Sequence, residues 1–214
     1  MNVTIIGSGN IARAIGTRAL AGGNSVTIVA RNVEPAGELA ASLQGAARDG
    51  ATVEVAPLGG EIKGDVVVLA IPYSSVAEII RQNKAQFDGK IVIDATNPLK
   101  PTYDGLTTPA DSSAAEEIAK LLPAGARVVK AFNTTFANTL VAGQVAGQPL
   151  DILIASDDAD AKAIVSRLVE AGGLRAIDAG PLKHAHQMEE MAFFNIALQS
   201  TAGTQFMSAW QFAS

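Results

Sequence analysis

The sequence predicts an α/β fold built on a mostly parallel sheet with helices on both faces, and three observations predict it. Strand-like and helix-like segments alternate along almost the whole chain, the pattern of parallel strands joined by crossover helices. The first apolar run, Val3-Thr4-Ile5-Ile6, passes through Gly7-Ser8-Gly9 directly into a helix-periodic segment. A second β-branched run, Ser25-Val26-Thr27-Ile28-Val29, closes with Ala30-Arg31-Asn32. Together they specify a Rossmann-type, doubly wound sheet, here with a small C-terminal helical extension.

The glycine turn comes first in the chain and carries the most chemistry. Gly7 permits the tight turn, Gly9 lets the backbone approach a pyrophosphate, and the small Ala12 allows the helix to pack closely on its strand. The helix that follows points unpaired N–H groups and a positive dipole end at the phosphates. The second strand then selects the nucleotide. In NAD-binding domains this strand usually ends in an acid that binds the ribose 2′-hydroxyl, and an acid would repel a 2′-phosphate. Arg31 stands there instead, and a guanidinium binds phosphate through parallel charge-assisted hydrogen bonds. NADP(H) is favoured over NAD(H). The alternative is that Arg31 is a solvated surface residue and Glu34 serves the ribose from the next helix start.

Further along come an Ala-rich helix from Pro35 to Arg48, a short strand at Thr52 to Val55 and a buried strand at Asp65 to Ile71. A helix is expected from Ser74 to about Lys84, a strand at Lys90 to Asp94, an irregular stretch from Ala95 to Ala110, and a helix at Ser112 to Leu122. The strand at Arg127 to Ala131 completes six, the number in a full dinucleotide fold. Asp151 to Ala155 and Leu174 to Ile177 follow as two more strands flanking a helix at Asp158 to Ala171, and Lys183 to Phe212 is helical in character with Gly203 as a break. Residues 1–135 are expected to form the NADP-binding domain. Residues 136–214 form a small C-terminal part that completes the acceptor site and a dimer interface.

Composition narrows the function. With 214 residues, 48% of them apolar, and a net charge of −5, the chain forms one α/β domain, or one with a small appendage, and is no nucleic-acid binder by charge. It has no cysteine, which excludes disulfides, thiolate metal sites and thiol nucleophiles. Met1-Asn2 leads straight into the first strand with no basic leader or apolar signal core, and no apolar stretch is long enough for a membrane span, so a cytoplasmic protein is expected.

Ligands of open α/β sheets lie outside the carboxyl ends of the strands. The fourth strand ends in Ala70-Ile71-Pro72-Tyr73, where proline stops the ladder and frees carbonyls. The fifth ends in Asp94-Ala95-Thr96-Asn97-Pro98, and the sixth runs through Val128-Val129-Lys130-Ala131-Phe132 into Asn133-Thr134-Thr135. Ordinary turn chemistry accounts for each cluster alone. Their convergence with the glycine turn favours a shared site, in which the amide and hydroxyls orient a carboxamide or a second ring.

At these residues the chain resembles the NADPH-dependent F-420 reductase family, F-420 (also written F420) being a deazaflavin coenzyme. The resemblance rests on Gly7-Ser8-Gly9-Asn10, Arg31, Ile71-Pro72, Val128 to Thr134, and above all Gly173 to Leu182 with its Asp178-Ala179-Gly180-Pro181-Leu182 element. It implies that Ser8, Asn10 and Ile11 contact the pyrophosphate, Arg31 and Asn32 the 2′-phosphate, and Ile71 with Pro72 the nicotinamide side. Ala70, Asn97 and Ala137 join the cofactor set. The Asn133 to Ala137 loop faces the acceptor ring, so Asn133, Thr134 and Thr135, with Pro181, Leu182 and His184, are expected on the acceptor side. The membrane-anchored ferric reductases carry a similar module that works with a flavin, which keeps FMN and FAD beside F420 as acceptors. After Leu182 this chain has Lys183-His184-Ala185-His186 where the family tends to carry arginine or small polar residues. Two histidines at i and i+2 do not share a helix face, and no metal site is expected.

Hydride transfer between two stacked rings requires no nucleophile and no proton relay. That suits a chain in which neither Tyr73 nor Tyr103 has a lysine four residues on, as short-chain carbonyl reductases do, and which lacks the additional helical domain of β-hydroxyacid dehydrogenases and imine reductases. A carbonyl or imine reductase, and a non-catalytic NADP(H)-binding sensor, remain as alternatives. Phe193, Phe194, Phe206, Trp210 and Phe212 are half of the aromatic residues and fall in the last segment. Together with Met188 and Met191 they form either core and a homodimer interface or an aromatic wall over the acceptor.

Overall fold

The computed structural model describes residues 1–213. Six parallel strands, β1 (Asn2–Ile6), β2 (Ser25–Ala30), β3 (Val53–Pro57), β4 (Val66–Leu69), β5 (Ile91–Asp94) and β6 (Arg127–Ala131), lie in the order 3-2-1-4-5-6. Helices α1 (Asn10–Ala21), α2 (Val33–Leu43), α3 (Tyr73–Asn83) and α4 (Ala114–Leu121) connect them. Strand β4 and the Ile91-Val92-Ile93 part of β5 are apolar because both of their faces are covered: every residue of each strand is buried. The helix starts are locally encoded. Asn32 accepts from the Glu34 N–H at α2, and Ser113 accepts from the Glu116 N–H at α4, with the Glu116 carboxylate accepting in turn from the Ser113 hydroxyl.

Past β6 come α5 (Ala137–Ala142) and a two-stranded hairpin of β7 (Gln144–Val145) and β8 (Gln148–Pro149), none of which the sequence suggested. They were hidden because each is too short to show a period. Strand β9 (Asp151–Ala155) then pairs antiparallel with β6, and β10 (Arg175–Gly180) pairs parallel with β9 after α6 (Ala159–Ala171), so one eight-stranded sheet spans both parts of the chain. Arg18 joins the added helices to α1: its guanidinium donates to the carbonyls of Val141 and Gly172, at the C-terminal ends of α5 and α6. Cationic donors are favoured at such ends.

The expectation of helix from Lys183 to Phe212 is corrected. A 3-10 turn covers Leu182–His184, and α7 spans only Ala185–Ala202. Gly203, at φ 64°, ends the helix as a left-handed cap. Residues 204–213 then return as a non-helical tail. The Phe206 ring meets Phe136 edge-on at 5.1 Å, the Trp210 indole donates to the Met191 carbonyl, and the Phe212 N–H donates to Asp151 at 2.6 Å. Arg175 completes the fastening by donating to both the Asp151 carboxylate and the Phe212 carbonyl.

Burial works against the Asp151 carboxylate, but the Arg175 and Phe212 hydrogen bonds and the Arg175 charge hold it below the ordinary carboxylate range. A depressed folded pKa contributes stability that is present above the unfolded value and lost as pH falls through the folded one. Trp210, the only tryptophan, reports the tail. Its emission is expected to hold from neutral pH down to about pH 4 and to shift red only below that. In Asp151→Asn the red shift is expected already at neutral pH, and unchanged emission in that variant would disprove the fastening.

Candidate functional site at the carboxyl edge of the sheet

The carboxyl ends of β1, β2, β4 and β5 border two cavities. One, of about 250 Å³, is lined by Gly7, Ser8, Arg31, Asn32, Leu58, Ile71 and neighbours from β1, β2 and α3. The other, of about 310 Å³, is lined by Gly9, Asn10, Ile11, Ala70, Ile71, Pro72, Tyr73, Ala95, Thr96 and Asn97. Ile71 faces both. The structure therefore brings together eleven of the twelve residues expected to bind cofactor. The twelfth, Ala137, opens α5 and packs against the core beside neither cavity.

The two glycines of the turn differ in what requires them. Gly7 sits at φ 126°, and a Cβ there would lie 2.2 Å from the Ala70 carbonyl oxygen, so the close crossing of the β1 and β4 ends excludes a side chain. Gly9 has an ordinary φ of −86°, and a Cβ on it would meet no atom within 4 Å. Neither backbone nor packing demands glycine there, and the space beside it is open to a ligand. Gly9 also opens α1 with no side-chain cap and no acid in the first turn, which leaves that turn's N–H groups to an anion. These features fit a pyrophosphate. At the end of β2, Asn32 spends its oxygen on capping α2, while Arg31 is exposed and makes no ion pair among the described residues.

The acceptor-side residues separate. Phe132, directly after β6, sits in the left-handed region at φ 68°, an uncommon backbone for a bulky residue, and its carbonyl accepts from both the N–H and the hydroxyl of Thr135. The Thr135 hydroxyl is thus spent on the turn. Asn133 donates to Asn97 at 3.0 Å and to the Met188 carbonyl, and Asn97 donates back to the Asn133 carbonyl at 2.9 Å, so Asn133 adjoins the second cavity through Asn97. Thr134 instead lines a small apolar cavity under Trp210 and Phe212.

Pro181, Leu182 and His184 do not join them. Because β9 and β10 run against β6, β10 exits toward the edge of the sheet where β6 begins. Leu182 is buried in the core that holds Val128, Ile118 and Leu122. His184 hydrogen-bonds the Ala179 carbonyl and lines a separate cavity with Ala110, Asp111, Glu116, Lys183 and His186. The strand reversal that moves these residues leaves no mark in the sequence pattern. Among the described residues, no group of three or more His, Cys, Asp or Glu side chains is placed to hold a metal ion.

One constellation went unnoticed in the sequence. Lys130 on β6 is fully buried, and its ammonium donates to Asp94 of β5 at 2.8 Å, to Glu189 of α7 at 2.7 Å and to the Thr96 carbonyl at 2.7 Å. Asp94 also accepts from the Thr96 N–H, and Glu189 from the Ala114 N–H that opens α4. A charge inside the apolar run Val128-Val129-Lys130-Ala131 was the available signal, because buried lysines are almost always paired. Burial pushes the Glu189 carboxyl above its usual range, with Lys130 opposing.

The family model described as "NADP oxidoreductase coenzyme F420-dependent" matches residues 2–98. The F420-dependent NADP reductase of Methanothermobacter thermautotrophicus is 32% identical over 202 residues, covering 89% of this chain and 86% of that protein. The metalloreductase STEAP3 of Rattus norvegicus is 33% identical over 87% of this chain but only 35% of its own length. A crystal structure of a protein from Arthrobacter sp. FB24, assigned as an F420-dependent NADP reductase, superposes with a TM-score of 0.85 at 25% identity and covers 99% of each chain. An imine reductase from Pseudomonas sp. shares the fold alone, at TM-score 0.67 and 16% identity over 64% of that chain. About a third of residues identical across nearly the whole of both chains is kinship beyond a common fold, and this NADP-dependent oxidoreductase belongs to the F420-dependent NADP oxidoreductase family.

Proposed function

We propose that this enzyme transfers hydride between NADPH and a planar deazaflavin acceptor, F420. The observation that carries the proposal is the lining of the second cavity: its only ionisable side chain is Tyr73. Burial, reinforced by the carboxylates of Glu117, Glu189 and Asp94, raises that phenol above its ordinary value and makes it a poor acid. A carbonyl or imine reductase needs a proton donor at the reacting atom. Hydride transfer between rings needs only apolar walls and fixed orientation.

Bound NADPH supplies the hydride from its nicotinamide ring. In this proposal the α1 N-terminus with Gly9, Ser8, Asn10 and Ile11 binds the pyrophosphate, Arg31 with Asn32 the 2′-phosphate, and Ile71 with Pro72 walls the nicotinamide side. Asn133 stands on the acceptor side through Asn97, and residues 136–214 complete that part of the site. A homodimer is proposed on the exposed Phe194, Phe206, Met207 and Phe212. Light scattering on a sizing column tests it, and a monomer at all concentrations would refute it.

The test of the reaction is anaerobic NADPH oxidation with F420, FMN, FAD or no acceptor, with NADH as control. Turnover with F420 alone is expected. Turnover only with FMN or FAD would replace the deazaflavin by a flavin. NADPH binding without turnover on any of them would refute hydride transfer to a ring and favour an organic substrate or a sensor role. The nucleotide assignment has its own check in Arg31→Ala. Losing hydrogen bonds to a charged group costs about 1.5–3 kcal/mol, so the preference for NADPH over NADH in kcat/KM is expected to fall roughly 10- to 150-fold. An unchanged preference would remove Arg31 from the 2′-phosphate site.

A further inference from the structure

We propose that the Thr96 hydroxyl hydrogen-bonds the nicotinamide carboxamide, and that Asp94 and Lys130 are positioning residues that hold Thr96 for this contact. The proposal rests on the assignment of the second cavity to the nicotinamide half of NADPH.

Thr96 follows β5 and lines that cavity, yet it is only 4% exposed and its hydroxyl makes no hydrogen bond among the described residues. A buried hydroxyl without a partner costs free energy, which makes it unusual in a folded chain unless a ligand uses it. Both backbone groups of the same residue are held by charges. The Asp94 carboxylate accepts from the Thr96 N–H at 2.9 Å, and the Lys130 ammonium donates to the Thr96 carbonyl at 2.7 Å. Lys130 is fixed from its other side by Glu189 at 2.7 Å, which ties the grip to α7. Next along the chain, Asn97 is locked to Asn133 through both of its amide atoms. The backbone that carries the hydroxyl is therefore fixed at both its N–H and its carbonyl, and two buried charged groups, Asp94 and Lys130 backed by Glu189, hold a residue whose side chain bonds nothing among the described residues. A primary carboxamide suits such a hydroxyl, because it offers an N–H donor and a carbonyl acceptor and the hydroxyl can serve either. Fixing the carboxamide fixes which face of the ring meets the acceptor.

Thr96→Val tests this by moving two quantities in opposite directions. Removing the unpartnered hydroxyl is expected to raise the Tm of the protein without nucleotide. The rise in Tm on adding NADPH is expected to shrink, with affinity about 3- to 10-fold weaker, the worth of one neutral hydrogen bond. The rise given by adenosine 2′,5′-bisphosphate, which lacks nicotinamide, should equal that of the wild type, and Thr96→Ser should restore NADPH affinity. If Thr96→Val binds NADPH as the wild type does, the contact is disproved. If the wild type responds to neither NADPH nor the bisphosphate, the dinucleotide assignment itself has failed, which is a different result.

The positioning role is tested by replacing the three charges together, Asp94→Leu, Lys130→Met and Glu189→Met, which leaves no buried charge alone. A folded triple variant is expected to lose NADPH affinity as Thr96→Val does while keeping its response to the bisphosphate. Wild-type NADPH affinity in that variant would overturn the role of Asp94 and Lys130. Should the triple variant not fold, Lys130→Met assayed below its melting temperature carries the same two expectations.

Discussion

Replacing Lys130 alone by methionine is expected to destabilise the protein by about 3–5 kcal/mol, the cost of leaving buried charges without their partner. Methionine has nearly the length and volume of the lysine stem, so the loss comes from charge and not from a cavity. Asp94, Lys130 and Glu189 are all fully buried, and among the described residues the ammonium is the one cation in contact with both carboxylates. The loss is expected to depend on pH with a definite sign. Burial already pushes the Glu189 carboxyl up, and without Lys130 only the Ala114 N–H still opposes that push. A carboxyl whose folded pKa lies above its unfolded value, about 4.3, stabilises fully below the unfolded value and progressively loses that contribution as pH rises through the folded one. Urea melts of Lys130→Met against wild type should therefore show the deficit largest at neutral pH and narrower near pH 5. A deficit below about 1 kcal/mol at pH 7 would mean that the cluster is not dry.

That cluster also marks where sequence stops predicting structure in this protein. The six parallel strands and the gathering of the candidate residues at their carboxyl ends were legible because each strand is a local signal, an apolar run bounded by turn residues, and because right-handed crossovers admit few arrangements. Gly7, Gly9 and Arg31 were legible for the same reason: the spacing within one β-α-β unit fixes where they meet. Lys130 and Glu189 are 59 residues apart and lie on a strand and a helix of different halves, so no local period joins them. The reversal of β9 was equally silent. An antiparallel strand and a parallel one read alike as apolar runs, yet the difference decides which edge receives Pro181, Leu182 and His184. The aromatic content of the last segment was legible, but its packing partner was not: Phe206 meets Phe136 edge-on.

Gly7→Ala and Gly9→Ala are expected to separate folding from binding within one three-residue turn. At Gly7 an added Cβ would stand 2.2 Å from the Ala70 carbonyl oxygen and 2.9 Å from its carbon, both backbone atoms that no side-chain rotation can move aside. The residue would also keep a φ of 126°, where L-residues are strained. Backbone strain of about 1–3 kcal/mol and overpacking of a similar size together predict a loss of roughly 2–6 kcal/mol. The damage falls where β1 and β4 leave the sheet, so it must either open the strand pair or displace Ile71, which lines both cavities. Gly9→Ala meets neither obstacle. Its backbone is accessible to any residue and its Cβ would touch nothing, so the cost without nucleotide is at most about 1 kcal/mol, for the poorer helix cap. In the proposed site the methyl would instead occupy the pyrophosphate's space beside the α1 N–H groups. Thermal melts with and without NADPH decide the matter. Gly7→Ala should melt far below wild type in both conditions, whereas Gly9→Ala should melt near wild type alone and gain little from NADPH. If Gly9→Ala keeps the full gain, the phosphates do not lie against the turn, and the dinucleotide must be bound elsewhere along the edge.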